Sequence, residues 1–375
     1  MKKNLQLVLC LMFLLLFLIL GIGTVSASER EGKTMDVKTT QETVKNFVEN
    51  KQNVWGLEIA DIDIKYISEL RGLDEEINSY YFHVKSEGNL EGYVLASANT
   101  KFDPIFEYGT FDTNVDDYIG EKIQGNNKVA YYLGAGEIEV STNGNELKKK
   151  LKAKKDGLVE LLNNEGEYEE AARVADIPIG LESNQEVIPE SEMTDGFNAL
   201  AAGPKTLQVY RVYQREPGVN HPNSACGPAA GASISNYYND YRYFNVRDST
   251  YYGGAANFID HLYYDMNSAT WGTNAYAFAN GLKLHLNHSM TGWYSVSSTT
   301  PTFSQMMTAI NANYPVAMVS PYLADDTYHW RVIKGYDNLD GSYIAYVDPD
   351  GSYSGTRWSS WSTWASKIDT VYLRR

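Results

Sequence analysis

The sequence predicts an α+β chain built in two parts, and three observations carry that prediction. Alternating or continuous apolar stretches bounded by turn residues read as strands, and runs with apolar residues three and four apart read as helices. Charge divides the chain: residues 28–203 hold 35 Asp/Glu against 18 Lys/Arg, a net of −17, whereas residues 204–375 hold 12 of each. Between the parts, residues 183–203 lose periodicity and mix acids with Pro, Gly and small residues, the composition of an exposed linker. A chain of 375 residues is long enough for two domains of roughly 100–200 residues.

Residues 1–27 have the pattern of an export signal. Lys2 and Lys3 precede an apolar run over residues 5–22, and Val25-Ser26-Ala27 supplies small residues for cleavage. The run approaches the roughly 20 residues that span a bilayer, but the small-residue site follows at once. Cys10 lacks the small residue that a lipoprotein site places before it, so no lasting membrane anchor is expected. The expected location is extracellular, in solution or at the cell surface. Cleavage would leave one cysteine, Cys226, unable to form an internal disulfide.

Residues 28–182 read as a small acidic α+β domain. Residues 39–52 suit an amphipathic helix with Val44, Phe47 and Val48 on one side. Residues 62–67, 80–85 and 92–96 are strand-like, the last two joined through the turn cluster Ser86-Glu87-Gly88-Asn89. A helix fits 114–123, strands fit 129–133 and 137–140, and a strong helix fits 145–163 with Leu147, Leu151, Leu158, Leu161 and Leu162 as its stripe.

Residues 204–375 read as a second domain, helices first and antiparallel strands after. Residues 207–213 alternate like a strand, and a helix begins near Cys226. Further helices fit 256–266, 274–284 and 303–311, then a buried strand at 316–320. A hairpin joins 329–336 to 342–347 through Asn338-Leu339-Asp340-Gly341. Neither part carries the basic patch of a nucleic-acid binder.

Chemistry concentrates in the second part. Pro228 is tolerated only in the first turn of a helix, which sets the helix start at or near Cys226. There a thiol faces free backbone N–H groups and the positive end of the helix dipole, which favours the reactive thiolate. A nucleophilic cysteine needs a histidine within reach and an acceptor to orient that histidine. The hairpin register returns Asp348 to within about a residue of His329, on strands roughly 4.8 Å apart. No cofactor or metal is expected: His285 and His288 at i, i+3 lack a third ligand.

Gln214, SACGPAA at 224–230, NANYPVAMV at 311–319, YHWRVIKGYD at 328–337 and YVDPDG at 346–351 together resemble the bacterial peptidases related to the bacteriocin-leader-processing cysteine proteases, in the papain-like superfamily. The resemblance spans residues 205–375. It implies a papain-like cysteine peptidase domain hydrolysing peptide bonds, with Cys226 as nucleophile, His329 as base and acid, and Asp348 as orienter. Gln214 would donate to the oxyanion beside the Cys226 backbone N–H. The family sets this glutamine about six residues before the cysteine, and here it is twelve before, so an insertion intervenes or Asn223 or His221 takes the role.

The first domain is similar in layout to the pro-regions of streptopain-like peptidases, on YYFHV…GYVLAS and FDPIFEYG. That likeness implies an intramolecular inhibitor, held mainly by apolar contact because its partner is net neutral. Two alternatives stand beside the peptidase: a cysteine amidase or acyltransferase acting on cell-wall peptide, and a non-catalytic surface binding protein that keeps the fold.

Overall fold

The computed structural model describes residues 33–51, 62–110, 128–134, 137–176, 179, 203–320, 328–350, 355–365 and 367–375. The export signal, the helix expected over 114–123 and all but the last residue of the linker lie outside these residues.

Helix α1, Val37–Asn50, starts where the Asp36 side chain accepts from the Thr39 N–H at 2.8 Å and buries Val44, Phe47 and Val48. It lies against an antiparallel meander of β1 Ile62–Arg71, β2 Ile77–Ser86, β3 Asn89–Ser97 and β4 Ile105–Thr110. The β2–β3 turn places Glu87 and Gly88 at φ of 50° and 83°, the two left-handed positions that match hairpin twist. Strands β5 Val129–Gly134 and β6 Glu137–Ser141 join the far edge through a parallel bridge, Arg71 to Tyr131. Helices α2 Gly144–Asn164 and α3 Tyr168–Asp176 follow.

The second part opens with a two-residue strand, β7 Lys205–Thr206, on β10 His329–Asp337. Residues 207–213, expected as a strand, run on without a ladder. Their N–H groups find other acceptors: Leu207 donates to the Lys334 carbonyl at 2.7 Å and Val212 to Ser233 Oγ at 2.9 Å. Helices α4 Cys226–Asp240, α5 Ala255–Asp265, α6 Ala275–Ser289 and α7 Phe303–Asn311 follow, α7 closed by a capping box between Thr302 and Gln305. The remaining strands are β8 Tyr294–Ser298, β9 Val316–Ser320, β11 Tyr343–Val347, β12 Arg357–Ser360 and β13 Asp369–Arg374.

The described strands form one sheet in the order β6-β5-β1-β2-β3-β4-β12-β11-β10-β9-β13-β8, with β7 on β10. The two halves of the sequence therefore share a sheet, and residues from Gly32 to Arg375 form one compact unit. The seam is the antiparallel pair β4–β12: Gly109 faces Arg357, Tyr108 faces Trp358 and Glu107 faces Ser359. Tyr108 and Trp358 stack with centroids 5.8 Å apart. Beside them, buried Glu107 accepts from Arg357 Nε at 2.9 Å and Nη2 at 2.6 Å. Lys51, at the end of α1, is buried and donates to Asp337 and Asp340 on the β10–β11 hairpin.

Apolar contact alone does not hold the halves together. Buried ion pairs cross the seam because each half supplies charges that the other matches locally, whatever the net totals. Glu107→Ala would strand the Arg357 guanidinium in the interior. A loss of about 3–5 kcal/mol is expected in denaturant unfolding, against a small loss for the surface substitution Glu160→Ala.

Candidate active site

Helix α4 begins at Cys226 after Ala225, with no side chain capping its first turn. Pro228 occupies that turn, where its missing N–H costs nothing. The Cys226 thiol therefore sits among backbone donors that have no intrahelical partner. Close packing keeps it there. A Cβ on Gly227 would lie 2.8 Å from Thr273 Oγ1, and one on Gly231 would lie 2.6 Å from Met266 Cε. Cys226 is 3% exposed, and its Sγ donates to the Tyr328 carbonyl at 3.1 Å.

His329 opens β10, next to the Tyr328 carbonyl that accepts from the Cys226 thiol, and the Cys226 side chain is among the groups that act on its ring. Its Nε2 lies 2.7 Å from Asp348 Oδ1, which leaves Nδ1 toward the thiol. The register differs slightly from expectation. Val332 pairs with Val347, and one further step sets Arg331, not His329, opposite Asp348. The turn pairs Asp337 with Tyr343, so an unbroken register would set Val332 opposite Asp348, and a shift between Ile333 and Gly335 brings Asp348 one residue nearer His329. His329 and Arg331 share a strand face at i, i+2, so both reach the carboxylate, and Arg331 Nε donates to Asp348 Oδ2 at 2.7 Å. The same arginine donates to Glu137 Oε1 of β6 at 2.5 Å.

Electrostatics follow from this packing. Burial alone would lower the His329 pKa, but the adjacent Asp348 carboxylate overrides it and lifts the pKa to about 10. Burial would raise Asp348, yet the His329 and Arg331 charges hold it far below the usual carboxylate range. The imidazolium is thus the stable form at neutral pH, as a thiolate–imidazolium pair requires.

The structure brings Cys226, His329 and Asp348 together. Gln214 lies nearby, 2% exposed, with its backbone N–H on the Pro349 carbonyl at 2.9 Å. Its Nε2 donates to the Pro222 carbonyl at 2.9 Å and to Asp350 Oδ2 at 3.2 Å. Residues 215–225, between Gln214 and Cys226, run as turns and irregular backbone, pinned where Arg215 grips Asp350 at 2.7 Å and Asn223 at 2.6 Å. Asn223 is exposed, and His221 stacks on Tyr263 with centroids 4.5 Å apart. The sequence reading passed over Arg331, although its alternation with His329 on one strand face was the available signal.

Parts of the first half of the chain pack against the neighbours of these residues. Leu158 and Leu162 of α2 and Ala171 and Val174 of α3 share a buried cluster with Cys226, Trp271 and Tyr328. Tyr328, whose carbonyl takes the thiol proton, donates its hydroxyl to Glu170 of α3. Arg173, one turn on, pairs with Asp369 at 2.7 Å.

No curated relative matches the sequence. Among solved structures the chain is similar to a digestive procathepsin L 3 of Tenebrio molitor larval midgut. The two are 13% identical, with 60% of this chain and 92% of that chain covered, and the TM-score of 0.23 is too low to argue from. Residues 206–374 match the model of the Peptidase_C39 like family, so the second half of the chain is similar to that family of cysteine peptidases.

Proposed function

We propose that the chain is a secreted cysteine peptidase, made as a precursor, that hydrolyses peptide bonds with a Cys226–His329–Asp348 triad. One observation carries this reading: a cysteine at an uncapped helix start lies beside a histidine that is itself held 2.7 Å from a buried carboxylate. The Cys226 thiolate attacks the substrate carbonyl, and the Cys226 N–H at the head of α4 faces the oxyanion that develops. His329 Nδ1 then gives its proton to the leaving amine and later takes one from water as the acyl-enzyme hydrolyses. Asp348 keeps the imidazole oriented and charged. Gln214 serves as second oxyanion donor by exchanging one of its two present acceptors for the substrate.

In a peptide-hydrolysis assay on the activated enzyme, Cys226→Ala and His329→Ala abolish turnover while far-UV circular dichroism stays unchanged. Gln214→Ala lowers kcat roughly 100–1,000-fold. Near-wild-type turnover in either triad variant would sink the mechanism. Cleavage of cell-wall peptide with none of protein would move the reading to an amidase.

The pH profile tests Asp348 separately. His329 is held charged up to about 10, so the active pair is lost only as pH rises through that value. Asp348→Asn removes the charge that lifts it. The alkaline limb of kcat/KM should then fall from near 10 toward the ordinary histidine value of about 6.5. A limb that does not move would assign it to another group.

The precursor reading rests on α2 and α3 packing into the cluster that buries Cys226, and on Glu170 and Glu137 reaching Tyr328 and Arg331. A specific protease site placed within residues 184–201 allows the chain to be cut on demand. Activity should rise at least tenfold once the first segment is cut and removed, and added salt should not mimic the cut, because buried pairs are screened little. An uncut chain as active as the cut one would refute the precursor reading.

A further inference from the structure

Helices α5 and α6 carry a second cluster of reactive side chains that the triad does not use. His261 and Asp265 lie on one face of α5 at i, i+4, and Asp265 ends that helix. His285 of α6 faces them. One ligand atom from each of the three lies within 4.8 Å of the others. His261 Nε2 is 3.1 Å from Asp265 Oδ2, and His285 Nδ1 is 3.8 Å from the same oxygen.

All three atoms are buried, and none has a hydrogen-bond partner among the described residues. The His261 and Asp265 atoms lie 3.1 Å apart, yet no hydrogen bond joins them. His285 is fully buried, and its Nε2 contacts the Arg247 carbonyl at 2.9 Å. That contact places the ring proton on Nε2 and points the Nδ1 lone pair into the cluster. Asp265 meanwhile holds a carboxylate in the last turn of α5, where the helix dipole disfavours an anion. Three buried ligand atoms converge on a shielded point without a hydrogen bond to satisfy any of them, which is the environment a cation would complete.

Local packing preorganises the group. Gly281 lies one turn before His285, and a Cβ there would stand 2.5 Å from Met266 Cα and 2.6 Å from the Asp265 carbonyl oxygen. Only glycine lets α6 approach α5 this closely, and the approach brings His285 to Asp265. Tyr252 stacks on His261 at 4.3 Å and Phe258 packs against His285 at 5.1 Å, which restrains both rings. Tetrahedral zinc at metal–ligand distances of roughly 2.0–2.1 Å needs ligand atoms about 3.3 Å apart, and Asp265 Oδ2 stands 3.1 Å from His261 Nε2 and 3.8 Å from His285 Nδ1. Two imidazoles and a carboxylate suit zinc by donor type.

The geometry points to a zinc site formed by His261, Asp265 and His285 that clamps α5 to α6 in the helical half of the peptidase domain. The sequence offered His285 with His288 at i, i+3. The fold instead sets His285 beside Asp265 and His261, 20 and 24 residues upstream in the chain. The site is independent of the triad, and its role is to brace the helices that pack behind α4.

Zinc also binds cysteine–histidine pairs, so the test uses the full chain carrying Cys226→Ala. After chelator treatment and desalting, the protein is titrated with zinc against a chromophoric chelator, and thermal unfolding is followed with and without the metal. Zinc should bind at one equivalent and raise Tm by roughly 5 °C at a hundredfold excess over Kd. Adding His261→Gln or Asp265→Asn, each close in size to the original, should weaken binding at least about a hundredfold and abolish the Tm rise, with the circular dichroism spectrum unchanged. No stoichiometric zinc, or equal binding by both added variants, would overturn the proposal. His285→Ala leaves a cavity and is not needed for the decision.

Discussion

Asp348 is the group on which the architecture of the candidate site turns. One oxygen orients His329 and the other holds Arg331, both 2.7 Å away. A lone buried carboxylate would be too costly to keep ionised, and with His329 alone it would share a single proton ambiguously. Arg331 removes that ambiguity, because a guanidinium is always charged. Asp348 then stays anionic and His329 stays cationic. Arg331 in turn needs a second acceptor, and it finds Glu137 on β6. The chain of charge thus runs from His329 through Asp348 and Arg331 to Glu137 in the first half of the sequence.

That dependence bears on what separating the halves would do. Removing the first segment would withdraw Glu137 from Arg331, Glu107 from Arg357 and the α3 residues from the cluster over Cys226. It would also leave β12 as a sheet edge. Edges and unpaired buried charges are both unfavourable, so release requires rehydration of Arg331 and Arg357 as well as a cut. The net charges of the two parts were a poor guide to this contact. Interfaces form between local groups, and −17 against zero says nothing of Lys51 between Asp337 and Asp340.

Much of the fold was legible where a local rule decides it. The start of α4 followed from Pro228, the β2–β3 hairpin from Glu87-Gly88, and α2 from its leucine stripe. What stayed hidden was decided by distant partners. Strand β8, YSVSS, is largely exposed and becomes a strand because β13 lies beside it. Residues 207–213 alternate like a strand, yet Ser233 and Lys334 take their N–H groups first. His329 and Asp348 were paired from hairpin arithmetic, which a shift at Ile333/Gly335 changes by one step without separating the side chains. His261 could not be joined to His285 from sequence, because the close helix approach at Gly281 is a tertiary fact.

The same use of small residues explains why reactivity and rigidity coincide in the helical half. Gly227 and Gly231 let α4 lie against Thr273, Trp330 and Met266, and Gly281 lets α6 lie against the end of α5. Glycine inside a helix costs roughly 1 kcal/mol relative to alanine. Three such positions would weaken these helices unless packing returned more, and Leu262, Met266 and Leu282, all fully buried, supply that packing. The thiol is then held by its surroundings instead of by a capping side chain. An N-cap serine or aspartate would satisfy the first-turn N–H groups, but it would also occupy the donors that a developing oxyanion needs. Ala225, which offers no such bond, leaves them available.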